Sequence, residues 1–288
     1  LNIQDIIRAN FYTNDDAIRV FSGLSGLTYP HQTYGPEYVF VDILLPTNNS
    51  VVFDRAWEPC YRIIYDANVI LGRAEAEESK ITDAEKNIIM GEAYFFRAWA
   101  HRALAHLFGG VPIVLEETTE PKRDYTRAAR SAVYEQCAAD LEFAVANLPG
   151  ITEINDVSRL SNLAASHLLA EVYICLGRWS DAIAAADFVI NDPATALMTE
   201  RFGNKVEDPE HLGFNDDLAF DGDVFWDLFF LGNQGRSIGN TEAIWVMPIA
   251  YNIPGGGNGG PGVRCQVSRL WQTEIKNDDG KAIKLIPH

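Results

Sequence analysis

The spacing of apolar residues along the chain predicts a mainly helical protein. Between Asp83 and Leu107 the apolar side chains recur every three or four residues, and the run ends at Gly109-Gly110. The other sides of this segment also carry aromatic residues, so this helix is predicted to be central and covered on several sides. The same spacing predicts further helices over residues 14–27, 57–76, 131–147, 163–176 and 180–190.

The last two predicted helices form a pair. They are joined through Gly177-Arg178-Trp179, and the order of small and aromatic residues around this turn fits the tetratricopeptide helix-turn-helix pattern. Glycine tolerates the backbone conformation of a tight turn, and small residues such as Ala182 and Ala185 allow two helices to approach closely. The sequence therefore predicts a helical hairpin here.

The chain changes character after Asp192, where acidic, glycine-rich and proline-rich stretches replace the helical pattern. One strand is predicted at Glu242 to Ile249, where strand-forming residues are flanked by turn residues. Residues 29–52 also have the composition of a loop. We therefore predict a helical region over 1–192, with tetratricopeptide-like helix pairs. A loop-rich, partly β region with one or two short strands follows over 193–288.

Composition and charge exclude some classes of function. The 288 residues carry 23 basic and 40 acidic side chains, for a net charge of -17. A nucleic-acid-binding surface normally needs the opposite sign of charge, so nucleic acid is not an expected partner. No stretch approaches the roughly 20 consecutive apolar residues of a membrane-spanning helix. An acidic surface is compatible with a neutral ligand such as a sugar.

The metal-binding and redox residue types show no pattern that predicts a cofactor. His101 and His106 are five residues apart and face different sides of a helix, so they do not form a zinc pair. His101 and Arg97 are instead predicted to be a buried polar pair with satisfied hydrogen bonds. Four cysteines lie far apart without a CxxC spacing and are predicted to be small buried residues: Cys60, Cys137, Cys175 and Cys265.

One segment resembles a known family. Residues 91–99, GEAYFFRAW, with the exit LFGGVP at 107–112, look like the characteristic helix and turn of SusD/RagB proteins. The resemblance covers roughly residues 10–250, which correspond to the N-terminal portion of a typical, longer member. Other similar features follow in the family's order: Asp15-Asp16-Ala17, Tyr61-Arg62-Ile63-Ile64 with Asn68, Leu176-Gly177-Arg178-Trp179, and Asn240-Thr241-Glu242-Ala243-Ile244-Trp245.

The resemblance implies a function at a cell surface. SusD/RagB proteins are helical, non-catalytic lipoproteins on the outer face of a Bacteroidetes-type outer membrane. They bind an oligosaccharide or polysaccharide and cap a SusC-like TonB-dependent transporter. In the family the helix pairs mainly face the transporter, and loops on another face form the sugar site. The N-terminal lipid anchor that the resemblance implies is absent from this sequence.

A sugar site needs aromatic rings for stacking and nearby polar groups for directional hydrogen bonds. Several aromatic residues have a polar neighbour in a predicted loop, and two asparagines lie where similar proteins carry part of a binding loop. Each of these residues has an alternative role in core packing or in a turn. The candidate ligand-binding residues are Trp226, Tyr251, Asn252, Trp271, Asn48 and Tyr34.

Two other functions stay open at this point. A glycoside hydrolase needs two carboxylates about 5 to 10 Å apart across a cleft, and no sequence pattern singles out such a pair. A tetratricopeptide-type scaffold for protein partners usually needs three or more repeats, and only one helix pair here fits that pattern well.

Overall fold

A computed structural model describes residues 50–76, 81–156, 158–203, 223–230 and 232–246. The chain divides into two compact units, one holding residues 60–205 with 222–248 and the other holding 2–59, 206–221 and 249–288. Of the described residues, 60–203 and 223–246 belong to the first unit and 50–59 to the second. The predicted helix over 14–27 and most of the predicted loop over 29–52 lie outside the described residues. The predicted division of the chain at residue 192 stays a prediction.

The described part of the chain is helical, as predicted. Two short 3₁₀ helices, Ile151–Glu153 and Arg236–Ile238, lie between or after the longer elements. The α-helices are α1 (Ser50–Glu75), α2 (Asp83–Phe108), α3 (Arg130–Asn147), α4 (Asn162–Leu176), α5 (Trp179–Ile190) and α6 (Val224–Phe229).

The predicted helices α2 to α5 are confirmed to within one residue at each end, but α1 begins seven residues before its predicted start at Trp57. The prediction placed Pro59 in the first turn, where proline fits best because the N–H group there has no helical partner. In the structure Pro59 lies inside the helix. Residues 50–52, predicted to be loop, are its first turn.

Local signals at both ends fix the central helix α2. The Thr82 hydroxyl accepts a hydrogen bond from the Glu85 backbone N–H, and the Glu85 carboxylate accepts one from the Thr82 N–H. This reciprocal capping satisfies two N–H groups that the helix itself leaves unpaired. The helix ends at Gly109, whose backbone φ of 75° favours glycine.

The helices pack in chain order, α2 against α3, α3 against α4 and α4 against α5. The α4–α5 turn has Gly177 in the left-handed conformation, which confirms the predicted hairpin. A core forms where α1, α2 and α3 meet, and Phe95, Phe96 and Trp99 of α2 are buried, as the aromatic pattern predicts. Buried residues of the α1–α2 cluster are Ala67, Leu71, Ala74, Met90 and Ala93.

The predicted strand over Glu242–Ile249 is not present in its described part, residues 242–246, which form bends. Asn240 explains this difference, because its side-chain oxygen accepts hydrogen bonds from the backbone N–H groups of Glu242 and Ala243. These donors are therefore unavailable to a neighbouring strand. The apolar residues pack on helices instead, and the Trp245 ring contacts the rings of Phe95 and Phe96.

The cysteines divide into two environments. Cys60 and Cys137 are fully buried, as predicted, and burial raises the pKa of both thiols. Cys175 on α4 is exposed, so the prediction of a buried residue is wrong there. It faces His106 on α2 rather than the core, with 3.7 Å between Sγ and Nε2. Cys265 lies outside the described residues. No helix within the described ranges has the length and apolar character to cross a membrane.

Candidate functional site

The connection between α2 and α3, residues 109–129, is an irregular loop whose backbone is held by side chains from the helices. Tyr61 on α1 donates a hydrogen bond of 2.8 Å to the Pro112 carbonyl. Asn68, two helical turns further along the same face of α1, donates to two carbonyls, Val114 at 3.1 Å and Glu116 at 3.2 Å. At the base of the loop, the Ala128 N–H donates to the Val111 carbonyl. These bonds satisfy the loop backbone where a regular ladder is absent.

A buried ion pair between α2 and α3 also holds the α2–α3 loop. The Arg97 guanidinium donates two hydrogen bonds to the Asp140 carboxylate on α3, at 2.8 and 2.7 Å, and both side chains are buried. Arg97 also donates to the side-chain oxygen of Asn68 and to the Leu115 carbonyl. Burial raises the pKa of Asp140, while the bonds from Arg97 and Gln136 act in the opposite direction. Arg97 thus connects α1, α2, α3 and the loop.

His101 completes the support on α2. Its Nε2 atom accepts a hydrogen bond from the Val114 N–H at 3.4 Å, which leaves Nδ1 to donate to the Arg97 carbonyl at 3.1 Å. Burial and the nearby Arg97 charge lower the pKa of His101 to about 4. The ring is therefore neutral at neutral pH. This confirms the predicted buried polar role of Arg97 and His101, with Asp140 as the carboxylate.

The neutral His101 ring makes stability pH-dependent. Between pH 6.5 and about 4 the unfolded chain binds a proton at His101 that the folded protein excludes. We expect the free energy of unfolding to fall as the pH drops through this interval, by on the order of 3 kcal/mol from this group alone. Urea denaturation of the wild type and of His101→Gln at about pH 7 and pH 5 measures the part of this decrease that falls between those two pH values. The variant should show a smaller decrease, and equal decreases would contradict this role of His101.

The outer side of the α2–α3 loop forms an open cleft of about 980 Å³, lined by residues 112–126. This volume lies within the range of small-ligand sites. The Tyr125 ring is 42% exposed, and its hydroxyl lies 3.3 Å from the Thr118 hydroxyl. The Lys122 ammonium lies 5.3 Å from the centre of the Tyr125 ring. The cleft thus combines an aromatic surface with hydroxyl and charged groups.

A second exposed aromatic surface lies on α6. Phe225 and Phe229 are one helical turn apart, 68% and 71% exposed, with ring centres 4.9 Å apart. The buried Asp227 between them anchors the helix, because its carboxylate accepts two hydrogen bonds from Arg201 at 2.5 and 2.9 Å. Asn233 also donates to the Asp227 carbonyl. Asp227 therefore holds α6 in place through a fully buried carboxylate.

Nearly all of the sequence-predicted site residues lie outside the part of the chain that the structure describes, so they stay predictions. Trp226 lies in α6 rather than in the predicted loop, and its side chain is outside the described part. The other five candidates lie outside the described residues: Tyr34, Asn48, Tyr251, Asn252 and Trp271.

The sequence analysis did not consider Tyr125 or Phe229 as ligand contacts, and of the segment Phe225-Trp226-Asp227 it kept only Trp226 as a candidate. The four-residue spacing of the two phenylalanines was a signal for one helix face. Tyr125 stands among charged and polar residues with no apolar periodicity, which indicates exposure. Across the described ranges, no group of three or more His, Cys, Asp or Glu residues is arranged to hold a metal ion.

Comparisons with known proteins identify the family. Residues 36–174 match the SusD-like family model described as starch-binding and associating with the outer membrane. SusD-like protein P25 of Formosa agariphila is 25% identical over 221 residues, which cover 76% of this chain. The matched region belongs to the SusD-like family. The match to P25 covers 40% of that protein's length.

Solved structures show the same fold. A laminarin-binding SusD-like protein is 26% identical, covers 69% of this chain and has a TM-score of 0.57. A structure with a xylogluco-oligosaccharide is 21% identical, covers 69% of this chain and has a TM-score of 0.59. The matches span 44% and 40% of those chains. The mainly α, SusD-like fold with helix pairs is thereby confirmed.

Proposed function

We propose that this SusD-like protein is a non-catalytic, cell-surface glycan-binding subunit that passes oligosaccharides to a SusC-like TonB-dependent outer-membrane transporter. The observation that carries the proposal is the family match over residues 36–174, which includes α2 and its exit loop. The similarity to a laminarin-binding protein over 69% of this chain supports a glycan as the ligand. The corresponding location is the outer face of the outer membrane, through a lipid anchor.

Exposed aromatic rings also support glycan binding. A pyranose ring presents a face of C–H groups that stacks on an aromatic side chain, and its hydroxyls need polar partners nearby. Tyr125 in the cleft offers one such ring. Phe225 and Phe229 offer two more on α6, whose backbone is held at Asp227. Beyond these, we retain the sequence-based ligand-contact candidates: Trp226, Tyr251, Asn252, Trp271, Asn48 and Tyr34.

The α5 helix offers a surface for the transporter. Trp179, Ile183 and Ile190 are spaced four and seven residues apart, so they lie along one face, and all three are exposed. Contiguous exposed apolar side chains of this kind often mark a protein interface. This agrees with the expectation that the helix pairs face the transporter.

Affinity electrophoresis on a panel of polysaccharides tests the proposed function. We expect at least one glycan to retard the wild-type protein, without release of reducing ends. Phe225→Ala/Phe229→Ala should weaken this retardation if α6 contacts the glycan. Ile183→Asp on α5 is the matched control, because it removes an exposed apolar residue from the proposed transporter surface. Release of reducing ends would instead support the glycoside hydrolase alternative.

A further inference from the structure

The cleft beside the α2–α3 loop has the features of a ligand subsite. Its lining contains one exposed aromatic ring, Tyr125, three threonine hydroxyls and both signs of charge. A polyhydroxylated ligand needs this combination, since it presents apolar ring faces and many hydroxyl groups that both donate and accept. A purely apolar ligand would leave most of these polar groups without hydrogen bonds.

One part of the cleft wall, residues 112–116, is preorganised. The carbonyls of Pro112, Val114, Leu115 and Glu116 all accept hydrogen bonds from side chains of α1 or α2. Arg97, which holds the Leu115 carbonyl, is itself fixed by Asp140. A loop held in this way loses little conformational entropy when a ligand binds, and this favours affinity.

The charge of the lining selects between classes of glycan. Among the described residues that line the cleft, four carboxylates stand against two cations, Lys122 and Arg123, so this part of the lining is net negative. The whole chain has the same sign, at -17. Uronic acid or sulfated chains would be repelled by this field, whereas neutral sugars carry no charge to repel. The carboxylates are Glu116, Glu117, Glu120 and Asp124.

The position of Lys122 limits how a sugar approaches Tyr125. Its ammonium lies 5.3 Å from the ring centre, a cation–π distance, and covers one face of the ring. The sugar would therefore stack on the other face. The Tyr125 and Thr118 hydroxyls, 3.3 Å apart, form a pair at the edge of this ring that accepts and donates hydrogen bonds.

We propose that the cleft lined by residues 112–126 is a subsite for a neutral oligosaccharide, with Tyr125 as its stacking platform. This inference rests on the proposed function and adds to it the location of one subsite and the charge class of the glycan. It does not depend on the α6 aromatic pair.

Calorimetric titration of the full chain tests the subsite. The probes are laminari-oligosaccharides and xylogluco-oligosaccharides as neutral glycans, with oligogalacturonides as the anionic class. We expect a neutral probe to bind and Tyr125→Ala to raise its Kd by about five- to tenfold. Tyr65→Ala is the matched control, because this tyrosine is 43% exposed on α1 and does not line the cleft. It should leave Kd unchanged, and circular dichroism should show both variants folded.

A charge-reversed variant tests the class of glycan independently. Glu120→Lys/Asp124→Lys should give oligogalacturonides measurable binding that the wild type lacks. Equal Kd values of the wild type and Tyr125→Ala for a neutral probe would overturn the subsite proposal. A lower wild-type Kd for oligogalacturonides than for the neutral probes would overturn the proposal that the glycan is neutral. If the wild type binds none of these probes while another polysaccharide retards it in electrophoresis, the subsite proposal fails and the proposed function stands.

Discussion

Replacement of Asp140 by alanine is expected to lower the free energy of unfolding by about 3–5 kcal/mol. The variant leaves the Arg97 guanidinium buried without its carboxylate, and an uncompensated buried charge is among the largest single-residue penalties. Arg97 also holds Asn68 and the Leu115 carbonyl, so the loss extends from α3 to the cleft loop. Chemical denaturation monitored by circular dichroism measures the change.

Two controls distinguish the cost of leaving a buried charge without a partner from the cost of losing an ion pair. Arg159→Ala removes the exposed partner of the partly buried Glu92 and should cost about 1 kcal/mol, well below the cost of Asp140→Ala. Arg97→Met/Asp140→Leu removes both buried charges and should recover part of the stability lost in Asp140→Ala. A cost of Asp140→Ala as small as that of Arg159→Ala would show that the buried pair does not organise the fold.

Replacement of Gly110 by alanine is expected to destabilise the protein by about 3 kcal/mol. A Cβ atom at this position would lie 2.1 Å from the Ala128 carbonyl oxygen, which is backbone and cannot rotate away. The required shift would disturb the pairing of Val111 with Ala128 at the base of the loop. The Arg127 guanidinium, which donates to the Gly110 and Phe108 carbonyls, would lose its geometry as well.

Gly72→Ala is the matched control for this substitution. Gly72 lies inside α1, and a Cβ atom there has no heavy atom within 4 Å. Alanine favours a helix interior over glycine, so this variant should be more stable by about 0.5–1 kcal/mol. Thermal melts of the two variants should therefore move in opposite directions. Equal melting temperatures for Gly110→Ala and the wild type would contradict the close approach of the loop.

The helical fold could be predicted from the sequence because its signals are local. Apolar spacing, the Thr82–Glu85 capping pair and Gly177 each determine structure within one or two helical turns. The early start of α1 escaped prediction because the helix continues through Pro59. The strand predicted from Glu242 is not found in its described part because the Asn240 side chain accepts hydrogen bonds from the N–H groups of Glu242 and Ala243.

The candidate site was less predictable because it depends on contacts between distant residues. Asn68, Arg97 and Asp140 are separated by 29 and 43 residues in sequence, yet together they hold one loop. Sequence reasoning identified Arg97 and His101 as a buried pair but had no means to find their carboxylate. The charged and polar neighbours of Tyr125 indicate its exposure, but they do not place it in a cleft, which depends on how the loop is held.

The central claim is that the protein captures a glycan without cleaving it. The most direct test is calorimetric titration of the wild-type protein with the glycan that retards it in electrophoresis. The glycan is then recovered and analysed by chromatography. The account predicts saturable binding and recovery of the glycan at its original chain length. Shortened products would contradict it by showing catalysis, and an absence of binding heat with every glycan of the panel would contradict glycan capture itself.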